Sequence, residues 1–279
     1  FNNVAIGANA LKVNATGKYN TALGNNTLET NTTGNYSTAI GYSVLANTTA
    51  QYNTGVGYNA LAANTIGEWN TAVGTSALNA NSNIGNTAGE WNTAMGGQAL
   101  KNNTAGTNNV AMGVNALVAN VDGNYNIAVG TNALQKNTSG NQNVAMGANS
   151  LASNTGSTGY SNTAVGTNAL QSNTSGFNNV AMGVNAMQRS TNPTWSVVVG
   201  CNALMDNESL GIVAVGGQAL QSNTSGTYNT AVGLQALLKN TTSDSNTAIG
   251  SHASIYQTGA SNTSLGAFAL QGSNGSSTG

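Results

Sequence analysis

The sequence predicts an all-β fold, a parallel β-solenoid or β-roll of sixteen coils of about 17 residues, and three observations carry that prediction. First, a glycine preceded by an aliphatic residue recurs at Gly7, Gly24, Gly41, Gly57, Gly74, Gly96, Gly113, Gly130, Gly147, Gly166, Gly183, Gly200, Gly216, Gly233, Gly250 and Gly266. Second, ten of the fifteen intervals between these glycines are 17 residues, three are 16, and the remaining two are 19 and 22. Third, charged residues are 5% of the chain against about 25% in an ordinary soluble domain, while Gly numbers 36 and Pro one. Polar disorder has no such register, because its apolar residues do not return to fixed places.

Each part of the repeat has a physical reading. Before the glycine stands Val, Ile, Met or Leu in all sixteen coils; two before it stands Ala in thirteen; three before it stands Thr in nine and Val or Ile in seven. Isosteric β-branched residues alternating in this way favour a short strand ending at the glycine. Four residues after the glycine comes Leu in fourteen coils, usually preceded by Ala, and this is expected to form the second buried edge. A helix does not fit, since two glycine-bounded turns in 17 residues leave no room for about ten helical residues and no 3.6-residue stripe crosses the repeats. A rung of two short strands and their turns is expected instead, pairing in parallel with the next rung about 4.8 Å away, so that sixteen rungs extend roughly 75 Å. Asn stands four before the glycine in thirteen coils, from Asn3 to Asn262, and in register such amides form ladders to the rungs above and below.

The repeat covers residues 1–279 as a single continuous solenoid, and its first and last residues fall within a repeat, so a longer polypeptide is expected. All five irregular intervals change length between the Leu edge and the next Asn, which places that corner toward solvent. Corner insertions fall near 79–90 and 153–160, and the stretch 189–211, with Pro193 and Trp195, departs most from the pattern, as a decayed rung or a contact site.

The strand's alternation puts the aliphatic and Thr/Val columns on one face and the Ala and Asn columns on the other. Both faces are strictly patterned, yet only one can point into so thin a coil, so another chain is expected to cover the second. Closed rotational symmetry is the usual arrangement, and three chains are expected. The units Asn3-Val4-Ala5-Ile6-Gly7 and Asn143-Val144-Ala145-Met146-Gly147 resemble the head repeat of trimeric autotransporter adhesins. The longer form from Asn162 to Gly176 is similar to repeats in tail-fibre and surface-fibre proteins of phages and environmental bacteria. The resemblance covers the whole chain, although the adhesin head repeat is shorter than 17 residues. It implies a trimeric left-handed parallel β-roll acting as a stalk or adhesive head, outside the cell, on its surface or on a virion.

The inventory of reactive groups points away from catalysis. With one His (His252), one Cys (Cys201) and seven scattered acids, the chain offers no triad, no thiolate cluster and no zinc set, so no enzyme activity, cofactor or metal is expected. A net charge of −1 gives no basic face for nucleic acid, and no apolar run is long enough for a membrane helix. The aromatics are more informative, because eleven of fifteen fall five or six residues before the marker glycine: Phe1, Tyr19, Tyr36, Tyr52, Trp69, Trp91, Tyr125, Tyr160, Phe177, Trp195 and Tyr228. Such a row is either a set of rings stacking on cell-surface glycans, for which Tyr19, Tyr36, Tyr52, Trp69, Trp91, Tyr125, Trp195 and Tyr228 are the candidates, or an internal ladder that staples rungs. The expected role is thus the shaft or head of a fibre that attaches to a cell surface. The alternatives are a self-assembling filament with no receptor, and an ice-binding face built on Asn31-Thr32, Asn64-Thr65 and Asn173-Thr174.

Overall fold

A computed structural model describes residues 2–81 and 89–272. It divides into two units, Phe1–Asn143 and Val144–Gly279. The first carries β1 (Val4–Ile6), β2 (Thr21–Leu23), β3 (Thr38–Tyr42), β4 (Thr54–Tyr58), β5 (Thr71–Val73), β6 (Thr93–Met95), β7 (Val110–Met112) and β8 (Ile127–Val129). The second carries β9 (Val144–Met146), β10 (Thr163–Val165), β11 (Val180–Met182), β12 (Val197–Val199), β13 (Val213–Val215), β14 (Thr230–Val232), β15 (Thr247–Ile249) and β16 (Thr263–Leu265). Each unit is an all-β parallel solenoid in which every strand pairs with the next at equivalent positions, as in Val110↔Ile127 with Ala111↔Ala128, and Val180↔Val197 with Ala181↔Val198.

The strands are short because the marker glycine ends them. It takes φ between +121° and +150°, a region closed to side chains. Space closes it as well: a Cβ on Gly113 would lie 2.7 Å from the carbonyl carbon and oxygen of Gly130. The chain therefore turns at the same place in every rung.

Beyond the glycine the chain forms a corner, so each rung has one strand where two were expected. The second and fourth residues after the glycine have φ of +51° to +61° and +46° to +52° respectively, from Asn9 and Leu11 to Phe268 and Leu270. Residues two apart in a strand donate to the same side, but here Asn26 N donates back to Ala8 O (2.9 Å) and Leu28 N donates forward to Val44 O (3.1 Å). The corner keeps rung-to-rung bonding while changing direction. A left-handed Leu costs about 1–2 kcal/mol, and burying its side chain returns about 1.5–3 kcal/mol.

The interior is made of Ala, Leu and Asn. Ala22, Ala72, Ala111, Leu28, Leu78 and Leu117 are wholly buried. Of the two strand faces that the sequence leaves undecided, the one carrying the long aliphatic column faces outward: Ile6 is 59% exposed, Met112 40% and Met182 41%. The reason is width. Opposite the Leu corner the space suits a small side chain, Val198 being the one larger residue buried there, and where Val44 replaces the corner's usual Ala, the adjoining strand carries Gly55, whose Cβ would lie 2.5 Å from Val44 Cγ1.

Asparagine fills the rest of the interior with paired amides. Asn109 Nδ2 donates to Gly123 O (2.8 Å), its Oδ1 accepts from Asn126 N (2.9 Å), and its own N donates to Asn92 Oδ1 (3.0 Å). A second column, Asn103, Asn120 and Asn137, links rung to rung through Nδ2 to Oδ1 bonds of 2.8 and 3.0 Å. The amide ladders expected from the sequence are thus present, and they satisfy buried polar groups that a thin coil cannot expose to water.

Candidate functional site

The aromatic column sits five residues before the marker glycine, immediately before the buried Asn, and its backbone is left-handed. Tyr19, Tyr36, Tyr52, Trp69, Trp91 and Tyr125 have φ of 57° to 60°, and Trp195 and Tyr228 have 54° and 55°. In rungs without a ring the same place holds Asn108, Gln142, Asn178 or Ser245, also at positive φ. Asn tolerates that conformation through local hydrogen bonding, whereas an aromatic residue needs compensation.

In the first unit the compensation is a continuous stack. Ring centroids lie 5.0 Å apart for Tyr19 and Tyr36, 5.2 Å for Tyr36 and Tyr52, 4.1 Å for Tyr52 and Trp69, and 5.0 Å for Trp69 and Trp91, with interplanar angles of 10° or less. Interior rings of this run have both faces against neighbours, so they offer edges and hydroxyl groups to solvent. Tyr125, flanked in its column by Asn108 and Gln142, has no ring partner among the described residues and is 61% exposed.

The second unit is less regular. Tyr160 and Phe177, one position earlier in the rung, stack at 5.0 Å, and Phe177 meets Trp195 edge-on at 6.3 Å and 77°. Tyr228 lies over Gly211, where a Cβ would meet its Cδ1 at 2.8 Å, so the ring packs on backbone. Two further pairs were not singled out from the sequence: Tyr42 with Tyr58 (5.4 Å) and His252 with Phe268 (5.1 Å). Their signal was available, since Tyr42 and Tyr58 each stand one residue after a marker glycine, and His252 and Phe268 stand two after. Phe1 and residues 82–88 of the first corner insertion lie outside the described residues.

The stretch 189–211 keeps the rung. β12 pairs with both β11 and β13, and Pro193 O accepts from Asn179 Nδ2 (2.7 Å), the role a glycine carbonyl plays elsewhere. Arg189 forms a two-pronged ion pair with Asp206, which raises the guanidinium pKa first through the hydrogen bond and then through the opposite charge. Glu208 accepts from Thr191 N (3.1 Å) and Oγ1 (2.7 Å). The charges of this stretch are spent on joining neighbouring rungs.

Of the Thr residues considered for ice, Thr32, Thr65 and Thr174 are partly buried, and Thr174 Oγ1 donates to Thr191 O at 3.2 Å. Among the described residues no group of three His, Cys, Asp or Glu could hold a metal ion. His252 shares a 2.7 Å contact with Ser251 Oγ, and Cys201 is exposed.

One open depression borders the aromatic row. It has a volume of about 520 Å³ and is lined by Thr16, Lys18, Tyr19, Thr33, Asn35 and Tyr36. Asn35 is fixed there, accepting from Lys18 N (2.8 Å) and donating to Gln51 Oε1 (3.4 Å). No family model matches the chain, and no curated protein matches it.

Proposed function

We propose that this chain is the shaft or head of a fibre on a cell surface or virion, working as three parallel copies, holding and sharing in attachment to another cell, and having no enzymatic activity. The observation that carries the proposal is the outward strand face. Val4, Ile6, Leu23, Met95, Met112 and Ile127 in the first unit, and Met146, Met182, Val197, Val199 and Ile249 in the second, are all more than a third exposed. The next outward place, just after the marker glycine, adds Tyr42, Tyr58, Val114, Val184 and Leu234.

An apolar face that recurs from rung to rung in each unit is the kind of exposed patch that marks an interaction surface. Covering one such side chain contributes about 1.5–3 kcal/mol. Inside, each rung buries little beyond one Leu and two Ala, so association through the outward face supplies burial that the thin interior lacks. Self-association in parallel register also multiplies weak attachment contacts, since each surface site is then presented three times.

Analytical ultracentrifugation of the purified chain tests this. A discrete three-chain species is expected, and Val110→Lys with Met112→Lys should convert it to monomer with an unchanged circular-dichroism spectrum, because both side chains point away from the interior. A parent that sediments as a monomer would refute the fibre reading, and one that sediments as polydisperse filaments would favour receptor-free assembly.

A further inference from the structure

We infer that the depression between Thr16, Lys18, Tyr19, Thr33, Asn35 and Tyr36 is a binding site for an acidic sugar, with Lys18 Nζ receiving the carboxylate. The inference rests on the proposed attachment role and gives that activity a place and a ligand class. Three independent features meet here. The first is the cavity itself, about 520 Å³ and open to solvent, within the range of small-ligand sites.

The second is an uncompensated cation. The chain has six Lys and Arg residues in all. Lys12 pairs with Glu29 at 3.4 Å and Arg189 pairs with Asp206, whereas Lys18, like Lys101, Lys136 and Lys239, has no carboxylate partner among the described residues, and of these four it is the one that lines the depression. Its backbone is held in place, since Lys18 N donates to Asn35 Oδ1 at 2.8 Å. The ammonium therefore stands at the rim with its three donors unspent.

The third is the lining. The hydroxyl groups of Thr16, Thr33, Tyr19 and Tyr36 have no hydrogen-bond partner among the described residues, and all four side chains are exposed. Hydroxyls that both donate and accept suit a pyranose, and the stacked Tyr19 and Tyr36 rings present an apolar edge beside them. The position along the row also selects for charge. In the place of Lys18, successive rungs carry Asn35, Gln51, Glu68 and Glu90, so an anion is attracted at the Tyr19 end and repelled at the Trp91 end. A polyanion such as nucleic acid finds only one cation here, whereas a single carboxylate needs only one.

Saturation-transfer NMR and isothermal titration with the intact chain would test this, using a galacturonic acid trimer and its methyl ester, which keeps the sugar rings and removes the charge. The acid should bind in the millimolar range, and Lys18→Gln should weaken it about fivefold, the equivalent of roughly 1 kcal/mol for an exposed ion pair. About 1 M NaCl should have a similar effect. Lys239→Gln, in the second unit, should change nothing. Equal binding of acid and ester, indifference to Lys18→Gln, or no binding of the acid at about 10 mM would each overturn the inference. Sedimentation of the same samples separates the two readings, because the depression lies within one chain: a monomeric parent that binds the acid retains the site and loses the fibre.

Discussion

Replacing Trp69 decides whether the ring column is held by stacking. Trp69 has Tyr52 on one face at 4.1 Å and Trp91 on the other at 5.0 Å, both within 6° of parallel. Aromatic pairs contribute about 0.5–1.5 kcal/mol each beyond area, so the two together amount to about 1–3 kcal/mol. Against this stands a φ of 60°, which costs a residue other than Gly or Asn about 1–2 kcal/mol. Trp69→Ala loses the stack and keeps the backbone cost; Trp69→Asn loses the stack and recovers about 1 kcal/mol of it. Both variants should be less stable than the parent, with Ala the worse by about 1 kcal/mol. Tyr125 is the internal comparison. It has a φ of 57° and no ring partner among the described residues, so Tyr125→Asn should be neutral or stabilising by up to about 1 kcal/mol. Native-state hydrogen exchange reads these effects locally, for instance at Trp91 N, which donates to Glu68 O at 3.2 Å. Nearest-neighbour coupling in a solenoid confines the change to adjoining rungs. If Trp69→Asn left exchange unchanged, or Tyr125→Asn destabilised as much as Trp69→Asn, stacking would not be what offsets the left-handed backbone.

The interior yields two further expected outcomes and a pH dependence. Gly113→Ala should cost about 3 kcal/mol or more, since φ is +132° and the added Cβ meets the Gly130 carbonyl at 2.7 Å; a thermal melt unchanged from the parent would contradict the glycine column's role. Asn109→Ala should cost about 2–4 kcal/mol by leaving Asn126 N unpaired and Gly123 O with one donor fewer, as read by urea denaturation. Asn109→Asp should be more stable near pH 4 than at pH 7, because a carboxyl in that dry site holds its proton more tightly folded than unfolded, so stability falls as pH rises. A flat profile would indicate that water reaches Asn109.

Register, strand position, the Leu corner and the Asn ladders were all legible in the sequence, because each depends only on like residues recurring at fixed intervals. The direction of the strand was not. Alternation separates two faces but carries no sign, and hydrophobicity points the wrong way here, toward the Ile, Leu, Met and Val column that the structure leaves exposed. Size variation held the sign. Outside Gly55, Val198 and Ser264 the inward strand position is always Ala, whereas the outward one changes freely among Val, Ile, Leu and Met. The pairing of Gly55 with Val44, a smaller residue facing a larger one in place of two Ala, is the mark of contact across a closed space.

The same distinction separates the two roles offered for the aromatic row. A ring stacked on both sides has spent the faces on which a sugar ring would lie, as Tyr36, Tyr52 and Trp69 have. Recognition by those rings is then limited to edges and hydroxyl groups, and specificity must come from neighbouring polar groups. Tyr125 lacks that constraint, having no ring among the described residues to repay its left-handed backbone. Stability alone would therefore favour Asn in its place, as in the rung before it, where Asn108 stands.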